Sequence, residues 1–511
     1  MFDSNPTQEV VCSQHSRASL IRTHPGTPGQ HNAVDRSKTN QGSTTRRLTM
    51  KKKSENKKDQ HPALETRKLT IERLDAEGVG TAGTENRTAL VQGAFPTETV
   101  VVAVEHQGRT HIYTRLLKIL RRSPVRSAQP GCSLELSCLG CPLISMQYPA
   151  QLEFKQQRVE KAIGAQVPAA DFSVLPVVPA AETLGYRTSA KLVFSRQRNK
   201  LLLGLYRRGS HDVIDISNCP VHHPLINRIV TIVRDDVARQ QVSVYNPRHK
   251  RGLLRYLLIR VSPDNNRALV TFVCHYKDFQ EVPKLAKKLS KKVPEVIGVH
   301  QNINSSGGNV ILGTETIKLL GHPDLIEQVG DIRLHIAPES FFQVNTRQAA
   351  TMYALIRDWA ALTGKENVVD LFCGIGGIAL SLASAARTVT GIEVVPEAVR
   401  NANANAALNR LTNCRFIAGD ATTELEYLAA ASTTPDLVTV NPPRKGCGEE
   451  LINQLLYLRP RQIIYVSCDP DTLARDLNQL LDGGYRINRL QPVDMFPQTA
   501  HIETIVQLVR S

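Results

Sequence analysis

The feature that most constrains the fold is an alternation of strand and helix patterns through the last third of the chain. A short run of β-branched and aliphatic residues stops abruptly at a glycine, an acid or a cysteine, and a stretch of helical periodicity follows. Val368-Val369-Asp370-Leu371 leads into Phe372-Cys373-Gly374-Ile375-Gly376-Gly377-Ile378, and Thr388-Val389-Thr390-Gly391-Ile392 ends at Glu393. Arg415-Phe416-Ile417-Ala418-Gly419 ends at Asp420, and Asp436-Leu437-Val438-Thr439-Val440 runs into Asn441-Pro442-Pro443-Arg444. Ile463-Ile464-Tyr465-Val466-Ser467 stops at Cys468-Asp469-Pro470. Strands this apolar are buried on both faces. Alternating with helices, they specify an α/β fold with a doubly wound sheet over residues 336–511. Ligands of such sheets bind beyond the carboxyl ends of the strands, so the residues that end these runs are the candidate site.

The 511 residues accommodate about two to four domains. Residues 1–60 are rich in Gly, Pro, Ser, Thr, Asn and Gln without apolar period, which predicts a disordered basic tail. Met50 directly precedes Lys51-Lys52-Lys53 and the first patterned segment, so translation is expected to begin there. Residues 61–125 carry short alternating runs, among them Lys68-Leu69-Thr70-Ile71 and Val100-Val101-Val102-Ala103-Val104, punctuated by glycines. This is the rhythm of a small antiparallel β-barrel. In Glu77-Gly78-Val79-Gly80 and Val91-Gln92-Gly93-Ala94-Phe95-Pro96 the segment resembles a TRAM domain, an OB-like RNA-binding module. Residues 126–335 mix strand and helix patterns, an α+β central domain. Within it, Lys250 to Arg260 reads as a strand with basic residues on its polar positions, either tracking a phosphate backbone or merely solvated.

No run of eighteen apolar residues exists and the start lacks a signal core, so membrane association and export are not expected and a cytoplasmic location is. The net charge is +16, and residues 1–125 hold 20 Lys and Arg against 12 Asp and Glu. Such an excess favours polyanions through counterion release; the plain reading is a solvated basic surface. Nothing in the pattern calls for an obligate protein partner.

Glycines of the turn after Leu371 allow a close approach of backbone to ligand, a pattern that dinucleotide enzymes share. Glu393 stands where a carboxylate can accept both ribose hydroxyls, and Asp420 where a third strand meets an adenine. Together the four edges resemble the S-adenosylmethionine-binding fold of methyltransferases, with Gly374 and Gly377 in its glycine-rich turn. The alternative is that these glycines only pack helix on sheet.

Cys468 and Glu503 suit one particular methyl transfer. Uracil C5 is too weak a nucleophile to attack a sulfonium unaided, but a thiolate added at C6 makes C5 nucleophilic, and a base must then remove the C5 proton so that the thiol can leave. In Ser467-Cys468-Asp469-Pro470, in Met495-Phe496-Pro497 leading to Glu503, and in Glu339-Ser340-Phe341-Phe342-Gln343-Val344-Asn345, the chain is similar to the RNA (uracil-5-)-methyltransferase family. The resemblance runs from residue 67 onward. It implies Cys468 as nucleophile, Glu503 as general base, and Gln343, Phe372, Glu393 and Asn441 as cofactor contacts. Two positions depart from the family: Asn441 stands where Asp is frequent, and Asp469 where Asn is. Asn441-Pro442-Pro443 also resembles the turn of exocyclic-amine methylases, with Arg444 in place of their aromatic residue.

Cys132, Cys138 and Cys141 have the spacing C-x5-C-x2-C, with Cys219 a distant fourth. Four thiolates suit an iron-sulfur cluster or tetrahedral zinc. The ribosomal branch of the resembled family carries a [4Fe-4S] cluster on this spacing, which implies that cluster here. The remaining cysteines, Cys12, Cys274, Cys373, Cys414 and Cys447, read as structural or incidental. Barrel and cluster together imply 23S rRNA as partner. A transfer RNA uridine, an exocyclic amine, and a noncatalytic RNA chaperone are the competing readings.

Overall fold

The computed structural model describes residues 64–511, apart from breaks at 130, 139, 169–170, 198–199, 208–209, 309 and 431–433. The expected basic tail, the Met50 start and Cys12 lie outside the described residues.

The first element is a six-stranded sheet of Thr66–Thr70, Arg73–Leu74, Gly80–Thr84, Arg87–Val91, Thr99–Gln107 and His111–Arg121. The first strand lies beside the fifth and the second beside the third, so the two edge strands are consecutive in the chain. Between them the Ile71 N–H donates to Glu98 O and the Glu72 N–H to Thr81 O. Ile71, Ala82, Val91, Val100, Val102 and Ile112 form its core. Gly80 is obligatory, since a Cβ there would stand 2.5 Å from Ala94 O. The buried Glu98 takes both Arg126 Nε, at 2.6 Å, and Nη2, at 2.8 Å, a two-pronged charged contact that ties the sheet to the cysteine segment.

The central sheet has seven strands, in the order Glu315–Gly321, Val296–Ile303, Arg267–Cys274, Leu254–Ser262, Ser189–Gln197, Lys200–Tyr206 and Val213–Asp215. Helices Pro224–Arg239 and Glu281–Lys292 bury Ile226, Ile229, Val233, Leu285 and Leu289 with its apolar face. The strand Leu254–Ser262 is not a basic track. Arg255 is buried, donating from Nη1 to the carbonyls of Asn304 at 2.6 Å and Ser306 at 2.7 Å, with its guanidinium 4.7 Å from the Tyr245 ring centre. Arg260 is bound to the carbonyls of Pro338 and Ser340. Both arginines complete backbone hydrogen bonding inside the protein, where a buried guanidinium must be satisfied.

The C-terminal sheet comprises β1 (Asn367–Leu371), β2 (Thr388–Glu393), β3 (Cys414–Ala418), β4 (Leu437–Val440), β5 (Gln462–Ser467), β6 (Tyr485–Val493) and β7 (Glu503–Arg510), in the order β3-β2-β1-β4-β5-β7-β6. The first five are parallel, and β7 runs antiparallel between β5 and β6. Alternate residues go to opposite faces, and both faces are covered. Val368, Ile464, Val466 and Ile505 pack with Trp359 and helix Thr346–Ala360. Val369, Ile463, Tyr465 and Val506 pack with helices Glu449–Leu458 and Pro470–Asp482. Helix Tyr148–Gly164 adds Val159 and Ile163 to this second core, although the central sheet separates it from the C-terminal strands in sequence.

Candidate active site

The antiparallel register of β5 and β7 ends at Ser467 opposite Thr504. One step further stand Cys468 and Glu503. Directly opposed residues of an antiparallel pair put their Cβ atoms about 5 Å apart on the same face. The thiol and the carboxylate thus come together just past the carboxyl end of β5, close enough for the Glu503 charge to act on the thiol. Asp469 caps the following helix, its Oδ1 accepting the N–H groups of Asp471 at 3.0 Å and Thr472 at 3.2 Å. Asn serves that cap equally well, which accounts for the departure at this position.

Burial, with the nearby Glu503 charge, pushes the Cys468 thiol up to about 12, and Arg444 works in the opposite direction. Burial likewise raises the Glu503 carboxyl to about 8, again against Arg444. Glu503 is therefore poised near the pH at which it exchanges a proton. Arg444, the residue that sequence reasoning passed over as a missing aromatic, is held at the site by helix Pro470–Asp482. Thr472 Oγ1 donates to its carbonyl at 2.9 Å and Arg475 Nη2 to the Lys445 carbonyl at 2.9 Å. Asp476 Oδ2 accepts the Cys447 N–H at 2.8 Å and the Tyr465 hydroxyl at 2.7 Å, so Cys447 has a structural place. Asn441 starts this strapped turn, with its N–H directed to Leu371 O.

The glycine-rich turn after β1 is built around Asp370. Its Oδ2 accepts the Ala379 N–H at 3.0 Å and its Oδ1 the Thr439 hydroxyl at 2.5 Å, and burial raises the carboxyl to about 7. Phe372 has φ +60, a left-handed conformation uncommon outside glycine. Gly374, at φ +56, would point a Cβ into open space, so its surroundings leave room for a ligand. Gly377 differs: a Cβ there would lie 2.3 Å from Tyr353 Oη, which makes it a packing glycine. Glu393, at the end of β2, accepts the N–H groups of Gly374 at 3.1 Å and Val395 at 2.9 Å. Asp420 accepts those of Thr422 and Thr423 at the start of helix Ala421–Ala430. Gln343 lines a small cavity with Arg260, Glu327 and Thr346.

The four cysteines come together around Arg187. The thiol of Cys141 is raised to about 12 by burial and lies close enough to feel the charges of Arg187, Cys219, Cys138 and Cys132. Backbone N–H groups point at three sulfurs: Leu134 to Cys132 at 3.4 Å, Gly140 to Cys138, and Val221 and His222 to Cys219. Asn227 of helix Pro224–Arg239 clamps the Cys219 backbone from both sides. Among the described residues no group of three or more His, Cys, Asp or Glu is drawn tightly enough to enclose a metal ion. The cysteine segment is not remote from Cys468 and Glu503. The Leu143 N–H, two residues after Cys141, donates to Gln498 O at 3.0 Å, on the loop that delivers Glu503.

A doubly wound sheet with an acid after each of two strands and a left-handed glycine turn, with a thiol and a carboxylate at its carboxyl edge, fits a methyltransferase using S-adenosylmethionine. The family model tRNA (uracil-5-)-methyltransferase matches residues 147–511, and the chain belongs to that family. It is 48% identical over 442 residues, 86% of this chain and 89% of the relative, to an uncharacterized RNA methyltransferase of Geobacter sulfurreducens. A second uncharacterized RNA methyltransferase, from Halalkalibacterium halodurans, is 35% identical over 443 residues, 86% of this chain and 96% of the relative. The solved tRNA (uracil-54, C5)-methyltransferase of Pyrococcus abyssi, in complex with S-adenosyl-L-homocysteine, superposes with a TM-score of 0.70 at 26% identity. That superposition covers 86% of this chain and 99% of the archaeal one. The protein is an S-adenosylmethionine-dependent RNA methyltransferase of the uracil-5 family. No helix among the described residues is long and apolar enough to cross a membrane.

Proposed function

We propose that the chain methylates C5 of a uridine in 23S rRNA through a covalent adduct with Cys468. The observation that carries this reading is the placement of Cys468 opposite Glu503 at the end of the β5–β7 ladder. Cys468 Sγ, as thiolate, adds to C6 of the uracil; the C5=C6 electron pair takes the methyl from the sulfonium, and S-adenosylhomocysteine leaves. Glu503 removes the proton from C5, the C5–H electron pair re-forms C5=C6, and the C6–S bond breaks to return the thiolate. The cationic Arg444 stabilises the anionic forms of both groups. Gly374, Phe372, Glu393, Asp420, Asn441 and Gln343 hold the cofactor, with Glu393 exchanging backbone donors for ribose hydroxyls, and Gly377 seats the turn on Tyr353.

The four cysteines hold a [4Fe-4S] cluster in this reading. Their chemistry fits: four thiols converge, three with N–H donors aimed at sulfur and an arginine alongside. A four-iron cluster takes one thiolate at each corner, so its ligands stand further apart than those of a single ion. When bound, the cluster serves to fix the surrounding loops. The N-terminal sheet is read as a TRAM-type barrel that grips RNA, and the target base is turned out of its stack into the cleft.

A transfer RNA target is favoured by one observation. The archaeal tRNA enzyme superposes over nearly its whole length, and over more of this chain than the 147–511 family match, so the N-terminal parts do not by themselves separate the two RNA classes. Mapping 5-methyluridine in ribosomal and transfer RNA from a deletion strain tests both. Loss of one 23S position supports the proposal, and loss confined to transfer RNA replaces it with the second reading.

A further inference from the structure

Loop 494–502 joins β6 to Glu503, and few of its hydrogen bonds are its own. One face of helix Tyr148–Gly164 supplies many of the others. Tyr148 donates from its hydroxyl to Asp494 Oδ2 at 2.9 Å, and Lys155 Nζ donates to Asp494 Oδ1 at 2.5 Å and to Phe496 O at 3.1 Å. Gln151 and Gln498 form a reciprocal pair, Gln151 Nε2 to Gln498 Oε1 and the Gln498 N–H to Gln151 Oε1, both 2.9 Å. Arg158 Nη1 donates to Ala500 O at 2.7 Å. Spacings of three, four and three residues put these four side chains on one helical face. From the other side Tyr186 donates to Pro497 O at 2.9 Å and Asn345 to Met495 O at 3.1 Å.

Lys155 and Asp494 both have 0% exposed side chains. An apolar pair of similar volume often stabilises a core as well or better, so a buried pair of this kind is weak evidence for stability, and what it can supply instead is a fixed arrangement of the groups it joins. Here it fixes one register of the loop. A slip of the loop would carry Glu503 away from Cys468, while Cys468 itself, directly after β5, would stay in place.

We infer that Lys155 and Asp494 are positioning residues for the final step of the reaction, holding Glu503 where it can reach the C5 proton. The inference rests on Glu503 being the base. Loss of the pair leaves thiol addition and methyl transfer in place and slows release of the methylated RNA.

The test uses full-length Lys155→Met/Asp494→Asn, which removes both charges and keeps an acceptor for Tyr148, with Glu503→Gln beside it. With ordinary uridine RNA and S-adenosylmethionine, the double variant should accumulate covalent protein–RNA conjugate. Its turnover should fall about 10- to 100-fold, the size expected for a misplaced group, and the KM for RNA should fall with it because the conjugate becomes the resting state. Single Lys155→Met leaves an unpaired buried carboxylate and should be worse in both respects. Adduct in Glu503→Gln but normal release in a folded double variant would overturn the inference. No adduct in Glu503→Gln would remove the base assignment first, and the inference with it.

Discussion

Replacing Glu503 by Gln should stabilise the protein at alkaline pH while abolishing turnover. The carboxyl is 5% exposed and burial raises it to about 8 from an ordinary 4.5. Below pH 4.5 both folded and unfolded chains hold the proton, and the group contributes no pH dependence. Between 4.5 and 8 the unfolded chain releases it and the folded chain keeps it, so stability falls as pH rises through this window. The loss accrues at about 1.4 kcal/mol per pH unit. Relative to Glu503→Gln, the native protein should therefore lose about 3 kcal/mol between pH 5.5 and 8. Trp359, the one tryptophan, is buried against this sheet, and its carbonyl accepts from Gln462 and Gln507. Urea unfolding followed by its fluorescence thus reports on the relevant core. Other titrating groups are common to both proteins and cancel in the difference. A gap between the two curves that stays constant across this range would refute the buried, neutral carboxyl.

The same carboxyl predicts that single-turnover release of methylated RNA accelerates as pH rises toward about 8 and then levels, measured with product-release kinetics; a flat profile from pH 6 to 9 would contradict it. Gly377→Ala should cost about 1 to 3 kcal/mol in the Trp359 urea assay, because its Cβ meets Tyr353 Oη at 2.3 Å. Glu393→Ala should weaken S-adenosylmethionine binding by about tenfold or more in calorimetric titration, since two backbone donors and the ribose lose their acceptor together. Cys141→Ser should lower iron per chain and bleach the visible absorbance of the purified protein; undiminished iron would remove the four-cysteine assignment.

The C-terminal sheet was legible because strands buried on both faces are written as unbroken apolar runs, and their ends carry the chemistry. Cys468 and Glu503 each flank such a run, and the resemblance to the uracil-5 family singled them out as a pair. The support of the site was not legible. Lys155 and Asp494 are 339 residues apart, and a lone lysine in a polar helix reads as solvated until the partner that neutralises it is in view. Arg255 and Arg260 misled in the same way, since arginines in a strand read as solvated while both faces of this strand are covered. Spacing grouped Cys132, Cys138 and Cys141, with Cys219 a plausible distant fourth, but gave no sign that the segment touches the loop carrying Glu503. That contact depends on how three separate stretches pack.

The proposed reaction requires above all a sulfur–carbon bond between Cys468 and the uracil during turnover. Incubation with 5-fluorouridine RNA and S-adenosylmethionine, followed by digestion and mass spectrometry, tests it directly, because fluorine at C5 cannot leave as a proton. The account predicts a methylated 5-fluorouridine conjugate on the peptide containing Cys468 and none in Cys468→Ala. Methylation without any conjugate, or a conjugate on another residue, would contradict it.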